Sequence, residues 1–535
     1  MTIRLFAALC IPACVFAADK PSEPQFQTSD RCVACHNQLI TASGEDVSIG
    51  FAWRASVMAN SSRDPYWQAS VRRETIDHAV VKDHIEDECS ICHMPVTRYQ
   101  AKLQGKPGKI FAHLPFGDDK KQGREASDGV DCSICHQISS GKLGTRDSFN
   151  GGFVIETPKS RDNRPEYGPF AIDPGQLRIM QTSTGGFQPT ANSDHIRKSE
   201  LCATCHTLYT TAFGPDGKAI GSLPEQVPYQ EWLHSDFPTK QTCQDCHMPV
   251  VDEPVAITRV FGIKRDGMKR HVFVAANFFM QRMLNRYRDD LEVEAEPQEL
   301  DHGADYTLDF LKQRAARVSL DHVQFQSGRL QADVFVENLG GHKLPTAFPS
   351  RRSWLHLTVR DHNGHPVFES GALRPDGSIT GNDNDADPRR YEPHYTTITD
   401  PGQVQIYEDI LGDPAGQLTT GLLTAVRYLK DNRLLPQGFD KRTADPDIAV
   451  VGEALADPQF TAGANRVRYS VDLHGAPGPF QIEAELLYQP IGYRWAHNLD
   501  PYNTSPEPRR FTTYFSAMSS GSATSLARAS AGVTQ

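Results

Sequence analysis

The sequence predicts a two-part molecule: a front half of short helices and irregular chain with a cysteine- and histidine-rich core, then a β-rich, sandwich-like half. Three observations predict it. All ten cysteines beyond the N-terminal apolar stretch fall between residues 32 and 246 in one repeated spacing. After residue 316 apolar and polar residues alternate with the period of a strand. The length of 535 residues exceeds what one hydrophobic core usually serves, so more than one packed core is expected.

Composition narrows the class. Hydrophobic residues make up 39% and charged residues 23%, and mean hydropathy is -0.48. These values exclude a multi-span membrane protein, a collagen and a wholly disordered chain. A net charge of -11 and a pI near 6.0 leave no general basic surface for phosphate backbones, so nucleic acid is excluded as a partner.

The chain begins with Arg4 in a short basic region, an apolar stretch from Leu5 to Phe16 and small residues around Ala17. This reads as a signal peptide over residues 1–17, too short to span a bilayer. Cleavage after Ala17 removes Cys10 and Cys14 and leaves ten cysteines. A lipid-modified Cys14 behind Ile11-Pro12-Ala13 is the competing reading, and Pro12 is unusual there. No later stretch is long and apolar enough to cross a membrane, which places the mature chain in the periplasm or outside the cell.

An exported chain with ten cysteines invites a disulfide framework. Instead, each cysteine belongs to a Cys-x-x-Cys-His unit: Cys32 to Cys35 with His36, Cys89 to Cys92 with His93, Cys132 to Cys135 with His136, Cys202 to Cys205 with His206, and Cys243 to Cys246 with His247. Two thiols three positions apart on one helical turn can add to the two vinyl groups of a porphyrin, and the next histidine then lies under the iron. Zinc sites need pairs of such pairs and no adjoining histidine, and a thioredoxin-like redox pair does not recur five times. The motifs therefore predict five covalently attached c-type haems, with His36, His93, His136, His206 and His247 as proximal ligands. These histidines are 57, 43, 70 and 41 residues apart, so little chain is available to wrap each porphyrin. The haems are expected to form much of this half's core, and without them it should not fold.

Six further histidines before residue 300 compete for the distal positions: His78, His84, His113, His195, His234 and His271. Supply exceeds the demand of five irons. Asp64-Pro65 predicts an N-capped helix running to about residue 86. On it Trp67, Val71, His78, Val81 and Ile85 share an arc of about 80° and His84 lies about 120° away. His78 is thus favoured and His84 is its substitute. His195 and His271 are also read as distal ligands, each against a surface or capping role. His113 is balanced between the two, and His234 ranks lower because it turns away from Trp232. Met58, at helical spacing from Phe51 and Ala55, is either a core side chain or a thioether ligand that raises the potential of its haem.

The second half reads as strands over 317–325, 330–336, 354–359, 466–473 and 480–488, separated by turns such as Asn363-Gly364. The expected organisation is a signal peptide over 1–17, a pentahaem cytochrome domain over 18–316, a β-rich domain over 317–515 and a mobile Ser/Ala/Gly-rich tail over 516–535. Within the β-rich part, Gly340-Gly-His-Lys-Leu-Pro-Thr346 stands out. Its His342 is either a ligand reaching back to a haem or a hydrogen-bonded turn residue. His394 and Tyr395 form a weaker pair of the same kind.

The sequence resembles exported multihaem c-type cytochromes related to the tetrahaem electron carrier of hydroxylamine oxidoreductase. The resemblance lies in Trp53-x-x-Ser56-x-Met58, Cys243-Gln-Asp-Cys-His-Met-Pro249, Arg270-His-Val-Phe-Val-Ala-Ala-Asn277 and the run from Gly341 to Trp354. It implies closely packed, mostly bis-histidine haems that pass electrons. Met58 departs from it, since related sequences have a distal histidine there. The fifth haem motif and the long β-rich half also depart, so the carrier's partner does not transfer.

Three functions follow, in this order. The first is electron transfer along the haems to another redox protein or a terminal acceptor. The second is an oxidoreductase acting on a small nitrogen or sulfur oxyanion at an open haem, with Arg351-Arg352 offsetting the negative charge. The third is a subunit of an extracellular conducting filament.

Overall fold

The computed structural model describes residues 26–116, 122–157 and 163–534. The expected signal peptide lies outside them. Among the described residues no helix is long and apolar enough to cross a membrane.

Short helices and loops make up the front half. Helix α1 (Pro65–Asp77) starts as the sequence predicts: the Asp64 carboxylate accepts hydrogen bonds from the main-chain N–H of Tyr66 and Trp67 at 2.8 and 3.1 Å, with Pro65 in the first turn. The single helix expected through residue 86 does not form. His78 caps the C-terminus of α1, a 3-10 turn follows at Ala79–Val81, and α2 (Lys82–His93) starts afresh. The break turns the side chains beyond it to new directions, with consequences for His78 and His84 below. The half ends in Phe278–Arg286 and the longer α3 (Pro297–Arg314).

The second half is built on two five-stranded sheets. One has the order β5–β6–β2–β1, from β1 (Ala316–Gln326), β2 (Arg329–Asn338), a short β5 (Thr397–Ile398) and β6 (Ala464–Asp472), with Phe460–Thr461 also paired to β6. The other has the order β4–β3–β7–β8, from β3 (Arg352–Arg360), β4 (Pro366–Ser370), β7 (Phe480–Gln489) and β8 (Thr524–Val533), with Ile406–Tyr407 also paired to β3. The neighbours within each sheet are antiparallel, apart from the parallel β5–β6 pair. Alternation decides which face is buried: Leu330, Val334 and Val336 on β2 and Val467, Tyr469 and Val471 on β6 share one core with Leu355, Leu357 and Val359 on β3 and Ile482, Ala484 and Leu486 on β7.

Two expectations need correction. Residues 516–534 are not a mobile tail, because residues 506–518 form helix α4 (Pro506–Met518) and β8 pairs with β7 from Phe480 to Tyr488. Its small residues suit an edge strand whose every second side chain faces the sheet's neighbour. The halves also do not carry wholly separate cores. Helix α4 folds back onto α1, where Arg72 holds Glu507 at 2.8 and 2.9 Å, and Tyr66, Phe279 and Met283 share the sandwich's core.

Candidate functional site

Each Cys-x-x-Cys-His unit sits on a short helical turn, which places its two thiols and its imidazole along one side. Asp131 starts one such turn by accepting the N–H of Ile134 at 2.7 Å, and a reciprocal Thr242–Asp245 cap starts another. All ten cysteines and all five motif histidines line a single cavity of ≈ 1230 Å³. Its other walls include Trp53, Trp67, Ile134, Phe170, Leu201 and Phe348. A site for one drug-sized ligand occupies about 300–1,000 Å³, so this space exceeds the room that one such ligand needs.

The units are packed against each other. Thiols of different units lie near enough to shift one another's ionisation, Cys32 with Cys132, Cys92 with Cys205, and Cys202 with Cys243. Cys135 lies close enough to Cys205 to feel its charge. The Cys202–His206 unit therefore adjoins three others.

Four motif histidines are oriented by the main chain. His36 Nδ1 donates to the Ile257 carbonyl at 2.6 Å, His93 Nδ1 to Ser61 at 3.0 Å, His136 Nδ1 to Tyr167 at 2.7 Å and His247 Nδ1 to Val274 at 2.6 Å. Such a bond fixes the tautomer and leaves Nε2 free to bind a metal. Burial keeps these rings in the neutral form that ligation requires, lowering the pKa of His93 and His247 to about 4.

Two of these rings face a second imidazole at a telling distance. His136 and His271 have centroids 6.5 Å apart and planes 19° apart, and His247 and His342 have centroids 6.2 Å apart and planes 8° apart. A metal bonded to two imidazoles at about 2.0–2.1 Å each holds their centroids about 6.3 Å apart. His271 and His342 also spend Nδ1 on carbonyls, those of Lys269 and Lys343, at 3.0 and 2.9 Å. The donor set and spacing thus fit two bis-histidine haems.

His342 owes its position to a buried ionic cluster. Lys343, 0% exposed, holds Asp431 at 2.7 Å, and Arg433 binds Asp431 at 2.7 Å and Glu231 at 3.1 Å. Glu231, from the front half, also accepts the Lys343 N–H at 3.1 Å. Gly341 is required because a Cβ would lie 2.9 Å from the Phe237 ring.

The other expected ligands are placed differently. Met58 lines the cavity, its carbonyl accepting from Val130 at 3.1 Å; Gly129 permits this approach at φ +61°, where a Cβ would meet the Ala59 carbonyl at 2.4 Å. His84 lines it too, 49% exposed and edge-on to Phe213. His78 does not: the break after α1 turns it to Glu74 at 3.6 Å and Thr424 at 3.4 Å. His195 does not line it and gives Nε2 to the Ile138 carbonyl at 2.9 Å. His113, in a 3-10 turn, is off the wall, and His234 binds the Asp440 carbonyl at 3.0 Å. His394 is held between Asp457 at 3.0 Å and Gln405 at 2.9 Å inside the second half. The excess of distal histidines expected from the sequence thus becomes a shortage, because His84, His271 and His342 are the non-motif histidines on the wall among the described residues.

No family model matches the chain, and no curated protein matches it. A solved structure similar in fold is a penta-haem cytochrome c552 from Thermochromatium tepidum, with a TM-score of 0.53 and 16% sequence identity over 95% of this chain and 99% of that chain. At that identity the likeness is one of fold, and it extends over both halves.

Proposed function

We propose that this chain is an exported multihaem c-type cytochrome, periplasmic or extracellular, that passes electrons along five covalently attached haems to a redox partner or terminal acceptor. The carrying observation is that all five Cys-x-x-Cys-His units open onto one cavity. The shared fold with a penta-haem cytochrome supports the reading. Bound haems supply one-electron chemistry at iron. The cysteines from Cys32 to Cys246 hold the porphyrins, and His36, His93, His136, His206 and His247 serve as proximal ligands. His271 and His342, facing His136 and His247, would hold the distal positions of two haems. Met58 and His84 are available to two of the remaining irons, while His78, His113 and His195 leave the assignment because they lie off the wall. The nearness of the units to one another would let haems held by them exchange electrons. The acidic surface favours a partner with basic patches.

Mass spectrometry and spectra test this together. The mature protein should carry five haem additions, and His271→Ala and His342→Ala should each convert one low-spin haem to high spin. A colourless product, or two variants with unaltered spectra, would refute the assignment.

A further inference from the structure

The short hairpin of Val255–Ala256 and Lys264–Arg265 carries a loop that stands directly on the first Cys-x-x-Cys-His unit. At its base the Ile257 carbonyl accepts from His36 Nδ1 at 2.6 Å, and the Arg259 N–H donates to the Cys35 carbonyl at 2.9 Å. Its far side is tied to the helix Pro174–Ser183, where Gln176 Nε2 donates to the Phe261 carbonyl at 3.2 Å and Arg265 donates to Gln176 Oε1 at 3.4 Å. The tip is therefore held from both sides.

That tip presents Phe261 to solvent. At 79% it is the most exposed large hydrophobic side chain among the described residues, and unlike Val260 and Ile263 it does not line the cavity. Its φ is +49°, a left-handed backbone that bulky residues seldom adopt. The charge around it is opposite to that of the whole molecule. Residues 257–266 hold Arg259, Lys264 and Arg265 against one carboxylate, Asp266, in a chain of net charge -11. Arg259 and Lys264 lie off the cavity wall and form no ion pair among the described residues. Glu253, close enough to feel Lys264, spends its carboxylate on the Ser43 N–H at 3.1 Å. Arg265 and Arg197 each lie over the Phe170 ring at 5.6 Å, which extends the positive face.

We propose that the loop 257–265 is the docking site for an acidic one-electron redox protein, with Phe261 as its apolar anchor and Arg259 and Lys264 as its charged rim. This rests on the haem reading above and adds a partner opposite in charge to the one that the remaining acidic surface favours. An aromatic side chain flanked by arginine is the composition of an interface centre. Cations without carboxylate partners steer an acidic protein to the loop and fix its orientation there. The hydrogen bonds at the base of the loop set such a partner over His36. In the exchange the partner's centre is oxidised by one electron and one ferric haem is reduced to ferrous.

The competing occupant is an anionic lipid surface. The test mixes the ferric, haem-loaded protein, its haem content checked by mass, with a reduced plant-type ferredoxin, an acidic one-electron donor, in a stopped-flow instrument. The second-order rate should fall steeply between about 10 and 200 mM salt. The double variant Arg259→Glu with Lys264→Glu should slow it at least about tenfold, and Phe261→Asn, which tolerates the left-handed backbone, at least about threefold. Reduction by a neutral hydroquinone should be the same in all three proteins. A wild-type rate that ignores salt, or equal ferredoxin rates in wild type and variants, overturns the proposal. So does loss of co-sedimentation with phosphatidylglycerol vesicles in Phe261→Asn at an unchanged ferredoxin rate, which assigns the loop to a membrane surface. A product without haem instead removes the functional reading beneath it.

Discussion

Between residues 26 and 315 many buried apolar side chains fall into small separate groups, such as Phe26, Val96, Ile134 and Phe153, or Leu39, Val47, Val251 and Met268. From residue 316 onward most of them join one continuous core, and even charged groups such as Lys343, Asp431 and Arg433 are sealed inside it in mutual contact. The front groups surround the cavity rather than fill the space between them. The difference teaches that the sandwich carries its own driving force for folding, whereas on the proposed reading the front half would need porphyrins to complete its core.

Preventing haem attachment should therefore have the largest effect. With all five cysteine pairs replaced by serine, limited proteolysis should digest residues up to about 270 rapidly and spare the strands of the sandwich. Equal protection of both halves would break the comparison. Next in size is Asp431→Ala, which strands Lys343 and Arg433 without their shared partner and should cost about 3–5 kcal/mol by denaturant unfolding. Because the same cluster holds the His342 turn, the haem on His247 should also become high spin; normal stability with an unchanged spectrum would show the cluster to be dispensable.

A smaller effect sharpens the electrostatics of the second half. Burial raises Asp409 to about 7, against partial relief from Arg433. Its folded pKa lies above its unfolded one, so its stabilising contribution is complete below about 4 and is lost as pH rises towards 7. Asp409→Asn mimics the protonated form. Its thermal midpoint should fall less than that of the wild type between pH 5 and 8, and parallel curves would contradict the buried state of this carboxyl. The smallest expected change is Asp64→Ala at the cap of α1, about 1 kcal/mol, read as a slight drop in thermal midpoint.

Legibility of the site followed sequence distance. The ten motif cysteines and five motif histidines were readable because the Cys-x-x-Cys-His spacing is local to one turn. The distal side was harder to read. His271 stands 135 residues from His136, and His342 stands 95 residues from His247, with no local pattern linking either pair. His78 misled for a definite reason: the apolar arc assumed one helix, and the 3-10 turn at Ala79–Val81 redirected the chain.

Sequence alone thus determined what is local: the five Cys-x-x-Cys-His turns, the cap of α1 and the alternation that makes each sheet face apolar. Only the tertiary structure decided what depends on chain segments meeting. It set His342 opposite His247 through Glu231, Lys343 and Asp431, sent Arg351 to the Thr346 carbonyl but Arg352 to Asp385, and turned 524–533 into an edge strand. Covalent geometry and helical or strand period act over a few residues and leave a mark in the order of amino acids. Ligand pairing and buried charge pairing act across space, and the chain order does not record them.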